Sequence, residues 1–294
     1  MTPPAPNTDP AARAAALCPG LKVTGVLHRT GKTVLLTGTL DDRAVVVKAL
    51  TDPDPFWREK FTREIVAYQA FATSPPPFPV PALRAADEAV GVFVLDHADG
   101  RPAATERYPP ALPLPLVERL LAAVAPVRRW TPPPVLAQPV FAYPDRLARY
   151  RAAGLFDDAD VAALTVLLRR TVGRWEFAHG DALLSNILIT DDGRATLIDW
   201  EFAGLYPPAY DLALLWVLLR ATEGARDRIE TAAGDEPAVR AGFWISVATV
   251  LTREMRTHRE LPEHAPQRAH LAGLTADWDS VRPLLGGLAD ERSH

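Results

Sequence analysis

The chain has 294 residues, 48% of them hydrophobic and 23% charged, the proportions of a folded globular protein rather than a disordered one. No charge-free apolar run approaches the roughly 20 residues of a membrane helix, and a formal net charge of -4 runs against the basicity expected of most nucleic-acid binders. One cysteine, Cys18, excludes an internal disulfide framework or a cysteine-rich zinc module. A cytoplasmic protein with neither membrane nor nucleic-acid partners is expected. The first residues show no basic stretch ahead of an apolar block, so no secretion signal is expected either.

Residues 1–20 are rich in Pro and Ala and read as a loose arm with a short helix. Leu21–Leu27, Thr33–Leu40 and Ala44–Leu50 are rich in Val, Leu and Thr and are separated by turn residues, which predicts a three-stranded antiparallel meander. Phe56–Phe71 has apolar residues at 61, 65, 68 and 71, a helical spacing. A proline-dense loop covers 74–81, and Val90–Leu95 is a short apolar strand. The Asp99-Gly100 pair marks a hinge or turn over 96–101. Beyond it the pattern is mostly helical, with helices predicted over 114–129, 143–153, 157–173, 208–221, 236–258 and 264–273. The exception is a hairpin, Ile187–Thr190 and Ala195–Asp199, joined by Asp191-Asp192-Gly193. Residues 284–294 read as a frayed tail.

The chemistry concentrates around that hairpin. Asp181 and Asn186 lie on the loop entering it, and Asp199 ends its second strand. A tight hairpin returns the chain on itself, so the three oxygen-bearing side chains converge at one end. Magnesium takes oxygen ligands from one or two carboxylates, with phosphates and water completing its shell. Asn adds a neutral oxygen without piling up negative charge against a polyphosphate. A carboxylate left free of metal can accept a hydroxyl proton.

His179-x-Asp181-x4-Asn186, followed by Ile198-Asp199-Trp200-Glu201 and by 203–213, resembles the catalytic and metal-binding loops of the aminoglycoside phosphotransferase family, relatives of protein kinases and choline kinases. The resemblance implies an α+β, bilobal protein-kinase-like fold. It divides the chain into a nucleotide-binding lobe at 1–95, a hinge at 96–101 and a catalytic, acceptor-binding lobe at 102–294. It implies that Asp181 is the catalytic base, and that Asn186 and Asp199 ligate Mg2+. Glu201 stands where choline-kinase-like members carry a second acidic metal ligand. Lys48 ends the third predicted strand and would hold the nucleotide phosphates. It would be fixed by a glutamate of the next helix, Glu64 in preference to Glu59. The turn around Gly31, with Lys32 or Arg29 adding charge, would cover the phosphates; a plain hairpin turn is the other reading. Val94 to Ala98 would present backbone to the nucleotide base. Asp211 would brace the catalytic loop, and His179 would be buried and hydrogen-bonded.

The implied activity is transfer of the γ-phosphoryl group of ATP or GTP to an alcohol group of a small polar molecule. An antibiotic is the first choice of acceptor, giving resistance or self-protection. A choline- or sugar-like metabolite is the alternative, and a nucleotide-binding pseudokinase or regulatory module is the alternative of another class. A monomer or weak dimer is expected. Acceptor-lining residues are expected at 205–220 and 243–260; Trp216, Phe243 and Trp244 read as core in preference to an aromatic wall for a cation or base, and Glu254 and Glu260 as a solvated helix face in preference to groups that meet amines. The stretch 121–130, Ala-Pro126-Val-Arg-Arg-Trp130 at its end, replaces a Leu-His pair of many relatives.

Overall fold

A computed structural model describes residues 9–261 and 265–291. Helix α1 (Pro10–Leu17) is followed by strands β1 (Lys22–Arg29), β2 (Thr33–Leu40) and β3 (Arg43–Leu50), the meander expected from the sequence. Helix α2 (Pro55–Thr73), β4 (Leu83–Asp87) and β5 (Val92–Asp96) complete an antiparallel five-stranded sheet of order β1-β2-β3-β5-β4. Strand alternation gives this sheet two faces. Val45, Val47 and Ala49 turn to a small core under α1, with Val34, Val92 and Val94. Leu50, Phe93 and Leu95 turn to the main core, with Phe61, Ile65 and Tyr68 of α2. Lys48 shares the parity of Leu50 and pairs with Phe93 across the ladder, so it points to the α2 face.

The rest is mainly helical. It contains β6 (Arg101–Pro102), α3 (Leu114–Arg129), α4 (Tyr143–Ala152), α5 (Asp158–Arg170), β7 (Glu176–Ala178), β8 (Ile187–Ile189) and β9 (Ala195–Leu197). β10 (Gly204–Tyr206), α6 (Tyr210–Leu218), α7 (Ala225–Ala233), α8 (Pro237–Glu260) and α9 (Ala265–Asp290) follow. β6, β8 and β9 form one small sheet, and β7 pairs with β10 in another. β4, β7, β10 and α7 are not among the elements expected from the sequence. No helix among the described residues is long and apolar enough to cross a membrane.

The expected tail is corrected over 284–290, which belongs to α9. Val281, Leu285 and Leu288 recur at helical spacing and are buried, and Arg170 ties down the helix end by donating to the carbonyls of Leu288 and Ala289. Residues 1–8 of the expected arm, residue 264 of the expected last helix, and 292–294 of the tail lie outside the described residues. The 121–130 segment stays helical through Pro126 to Arg129. Trp130 then packs on Phe71, Phe78 and Phe177, an aromatic wall behind the site.

Candidate functional site

The loop after β7 begins His179-Gly180-Asp181. Asp211, at the start of α6, accepts hydrogen bonds from the backbone N–H of His179 (2.8 Å) and of Gly180 (3.0 Å). Gly180 has φ +80°, and a Cβ there would meet the carbonyl of Phe202 at 2.2 Å and the hydroxyl of Tyr206 at 2.3 Å, so only glycine fits. The His179 imidazole is fully buried. Its Nε2 contacts the carbonyl of Ile198 at 2.9 Å, and its Nδ1 accepts from the N–H of Asp181 at 3.3 Å. Those partners require Nε2 to carry the proton and Nδ1 to be bare, a neutral ring. Burial pushes its pKa down in the same sense, against the pull of Asp211. Asp211 and His179 therefore hold the loop in the way expected of them.

A single 3-10 turn, Leu184–Asn186, follows. The Asn186 amide donates to the backbone carbonyl of Asp181 at 3.0 Å, and its side-chain oxygen accepts from the hydroxyl of Ser185 at 3.4 Å. After β9, Asp199 adopts the left-handed region with φ 68°. A non-glycine residue there is strained and needs the surroundings to enforce it. Trp200 does so: it is fully buried, stacks on Phe78 with centroids 5.4 Å apart, contacts His179 at 4.4 Å, and donates from Nε1 to the carbonyl of Leu197 at 3.1 Å. With Trp200 anchored inward, Asp199 and Glu201 face the crevice on either side of it.

Across that crevice stands β3. Lys48 Nζ lies 2.5 Å from Glu64 Oε2 and 2.6 Å from Asp199 Oδ1. Glu64 is 1% exposed, whereas Glu59 is exposed and faces Arg63 at 3.8 Å, so the preference for Glu64 is the one the structure shows. Burial works to discharge Lys48, but Asp199 and Glu64 outweigh it and hold the ammonium charged well beyond its ordinary range. Burial also works against the charge of Asp199, where contact with Lys48 wins and the carboxyl lies below its usual pKa. Glu64 is pushed up by the same burial, with Lys48 pulling the other way.

Carboxylate oxygens of Glu64, Asp199 and Glu201 all lie within 4.8 Å of one another. Glu201 is countered by Lys32, whose Nζ is 2.8 Å from Oε1 and 4.3 Å from the Trp57 ring centroid. Two ammonium groups thus stand against an all-oxygen acidic cluster. That donor set suits a hard divalent cation. Lys32 is one of the two basic residues expected to add charge at the turn around Gly31. Gly31 itself has no left-handed φ, and a Cβ there would meet nothing within 4 Å, so no local contact demands glycine.

One expected binding residue is placed elsewhere. Val94 sits in mid-strand, paired with Val47 on one side and Ala85 on the other, and is fully buried. Its backbone is committed to two ladders and cannot meet a nucleotide base. Ala98 lies beyond the strand end, in the irregular 97–100 stretch.

Asp181 is half-buried. Burial pushes its pKa up to about 6, Arg253 and Arg107 pull it down, and Asp199 and Glu201 push it up. These arginines went unnoticed in the sequence. Arg107 forms a two-pronged ion pair with Glu254, at 2.6 and 2.7 Å, and Arg253 Nε donates to the same carboxylate at 3.1 Å. Glu254 also accepts from the hydroxyl of Tyr108 at 2.6 Å. It is 1% exposed, which corrects its reading as part of a solvated face. These partners outweigh burial and hold it ionised, with its pKa lowered to about 2. A signal was present: Ser246, Thr249 and Arg253 recur at helical spacing along the otherwise apolar first part of α8. Trp216, Phe243 and Trp244 are buried against one another as core.

The chain is similar over its length to several solved structures. The GDP and kanamycin complex of APH(2")-IIia is 12% identical, with 93% of this chain and 98% of that one covered and a TM-score of 0.60. A choline/ethanolamine kinase family protein from Mesorhizobium loti is 17% identical, with 95% and 98% covered and a TM-score of 0.59. The choline kinase LicA from Streptococcus pneumoniae is 13% identical, with 88% and 94% covered and a TM-score of 0.56. At such identities the likeness concerns the fold, which is the bilobal α+β arrangement expected. No curated protein sequence matches the chain. The model of the phosphotransferase enzyme family matches residues 31–243, a span running from the turn at Gly31 through the 179–201 loops, and the chain belongs to that family.

Proposed function

We propose that this phosphotransferase moves the γ-phosphoryl group of ATP or GTP onto a hydroxyl of a small polar molecule. The observation that carries the reading is Lys48, whose ammonium bridges Glu64 and Asp199 from a strand remote in sequence from the 179–201 loops. The nucleotide is read as lying between a lobe at 1–95 and a lobe at 102–294, with 96–101 connecting them. Lys48, fixed by Glu64, receives its phosphates, and the backbone near Ala98 lies where its base would rest. The open turn at Gly31 leaves room for phosphate to approach the chain closely.

Asp199, Asn186 and Glu201 would hold Mg2+, which supplies charge neutralisation on the phosphates. Asp181 does the proton work. Its carboxylate accepts the hydroxyl proton as the acceptor oxygen bonds to the γ-phosphorus. The bond from that phosphorus to the bridging oxygen breaks, and the nucleoside diphosphate leaves with the electron pair. The left-handed Asp199 and the His179 bond to Ile198 keep base and phosphate groups in one frame, so positioning carries much of the rate.

A hydroxyl-bearing natural product such as an antibiotic remains the first acceptor class, with resistance or self-protection as the consequence. Choline- and sugar-like metabolites come second; kanamycin and choline are what the similar structures' names carry. Nucleotide consumption measured across such a panel, with and without Mg2+, tests the activity. Acceptor-dependent turnover lost in Asp181→Ala supports it. Mg2+-dependent nucleotide binding with no transfer to any acceptor would favour a regulatory module instead.

A further inference from the structure

The ground beside Asp181 carries the wrong sign for a cationic acceptor. Arg107, 39% exposed, and Arg253, 20% exposed, overlie the buried Glu254. The exposed side chains of this ion-pair cluster are arginines, and the carboxylate they share is buried. Asp181 feels the charge of both arginines, as does Tyr210 that of Arg253 and Arg146. Arg146 adds a third guanidinium from α4. It is 3% exposed and has no carboxylate partner among the described residues. Its contacts are the Tyr150 hydroxyl at 3.2 Å, the carbonyl of Thr249 at 3.4 Å and the faces of Phe141 and Tyr150.

Three guanidinium groups therefore stand against one carboxylate other than the base itself. Around them, Arg146 Nη1 and the hydroxyl of Tyr210 are buried without a hydrogen-bond partner among the described residues. Buried polar groups are normally satisfied, and both of these can donate. An unmatched set of donors around excess positive charge is complementary to an oxyanion, which a guanidinium binds through paired N–H donors. The amines of an aminoglycoside or the trimethylammonium of choline would meet like charge there, which is how sites reject wrong partners.

We infer that the acceptor is a hydroxyl compound bearing an oxyanion group, carboxylate or phosphate, which Arg253 receives beside Asp181 with Arg107 and Arg146 in support. This rests on the phosphotransfer reading and narrows its acceptor class. Arg253 acts as a specificity residue, and transfer itself follows the step already described.

The test is binding by calorimetry to the full chain with Mg2+–ADP saturating, so that the nucleotide site captures no added anion. The probes are glycerate, glycerol 3-phosphate, glycerol, choline and kanamycin. At least one of the two anions is expected to bind ten-fold or more tighter than glycerol, and which one does so identifies the oxyanion. Choline and kanamycin are expected to bind no better than glycerol. Arg253→Gln should abolish the anion preference and Arg253→Lys should keep part of it. If Arg253→Gln fails to fold, Arg107→Gln, on the exposed rim, takes its place and should weaken the preference at least threefold. Anions binding no better than glycerol, a preference for choline or kanamycin, or an anion preference unchanged in the variants overturns the inference. Failure of Mg2+–ADP to bind at all would instead strike the phosphotransfer reading, and the anion preference would then be read on the free chain.

Discussion

The His179 imidazole holds the carbonyl of Ile198 at 2.9 Å, joining the residue two before Asp181 to the residue just before Asp199. One buried ring thereby sets the spacing between the proposed base and the proposed metal carboxylate. Replacing it by an apolar ring of similar size keeps the packing on Trp200 but leaves the Ile198 carbonyl and the Asp181 N–H without their partner. His179→Phe is expected to destabilise the fold by about 1–3 kcal/mol. It should lower kcat more than it raises the nucleotide KM. Denaturant melts and steady-state kinetics check this, and an unchanged kcat in a folded variant would show that the link does not position the site.

Lys48 neutralises two carboxylates at once. Removing it leaves Glu64 and Asp199 uncompensated, and breaking a buried pair from one side is costly. Lys48→Ala is expected to weaken nucleotide binding roughly ten- to hundredfold, the worth of charge-assisted hydrogen bonds to phosphate. Calorimetric titration with ADP and Mg2+ measures it, and unaltered affinity would remove Lys48 from the nucleotide site.

Asp181 supplies a pH signature. With its pKa raised to about 6, the base is protonated in acid, so kcat/KM should fall as the pH drops below about 6 and level off above it. The folded chain holds this proton more tightly than the unfolded chain. Stability from this group is therefore full below about pH 4, the ordinary carboxyl range, falls as the pH rises toward 6, and stays reduced above it. Asp181→Asn, which cannot ionise, should be inactive yet more stable than the parent at pH 8, by about 1–2 kcal/mol once contact with solvent is discounted. The two should converge near pH 4. Thermal melts of the nucleotide-free chain at both pH values decide, and a variant less stable at pH 8 would contradict the burial of an ionised carboxylate.

Gly31 and Gly180 should respond oppositely to alanine. A methyl at 180 collides with backbone and a buried tyrosine at a left-handed φ, so Gly180→Ala is expected to cost roughly 2–4 kcal/mol. A methyl at 31 meets nothing, so Gly31→Ala should melt like the parent. A raised nucleotide KM in Gly31→Ala would place phosphate against that turn; an unchanged KM would make it the plain hairpin turn.

Local pattern determines much of this protein. The alternation in Val45-Val46-Val47-Lys48 put a lysine on one face of a strand, and the 61, 65, 68, 71 spacing put Glu64 on the inner side of the following helix. The 179–201 string points to the proposed base and the proposed oxygen ligands because short loops around a hairpin confine their residues to one end of it. Val94 was misplaced because lobe order alone cannot tell a strand centre from a hinge; β4, on its far side, was invisible in a run of Pro and Ala. The tail was misjudged because Leu285 and Leu288 are core only once α5 and α8 are there to cover them.

What remained for the tertiary structure was every relationship between distant segments. That Lys32 reaches Glu201, that Glu254 lies under Arg107 and that Arg146 has no acidic partner among the described residues depends on which segments meet. The sign of charge beside Asp181 follows from those meetings, because a side chain's effective charge is set by what is buried against it and not by its neighbours in the chain.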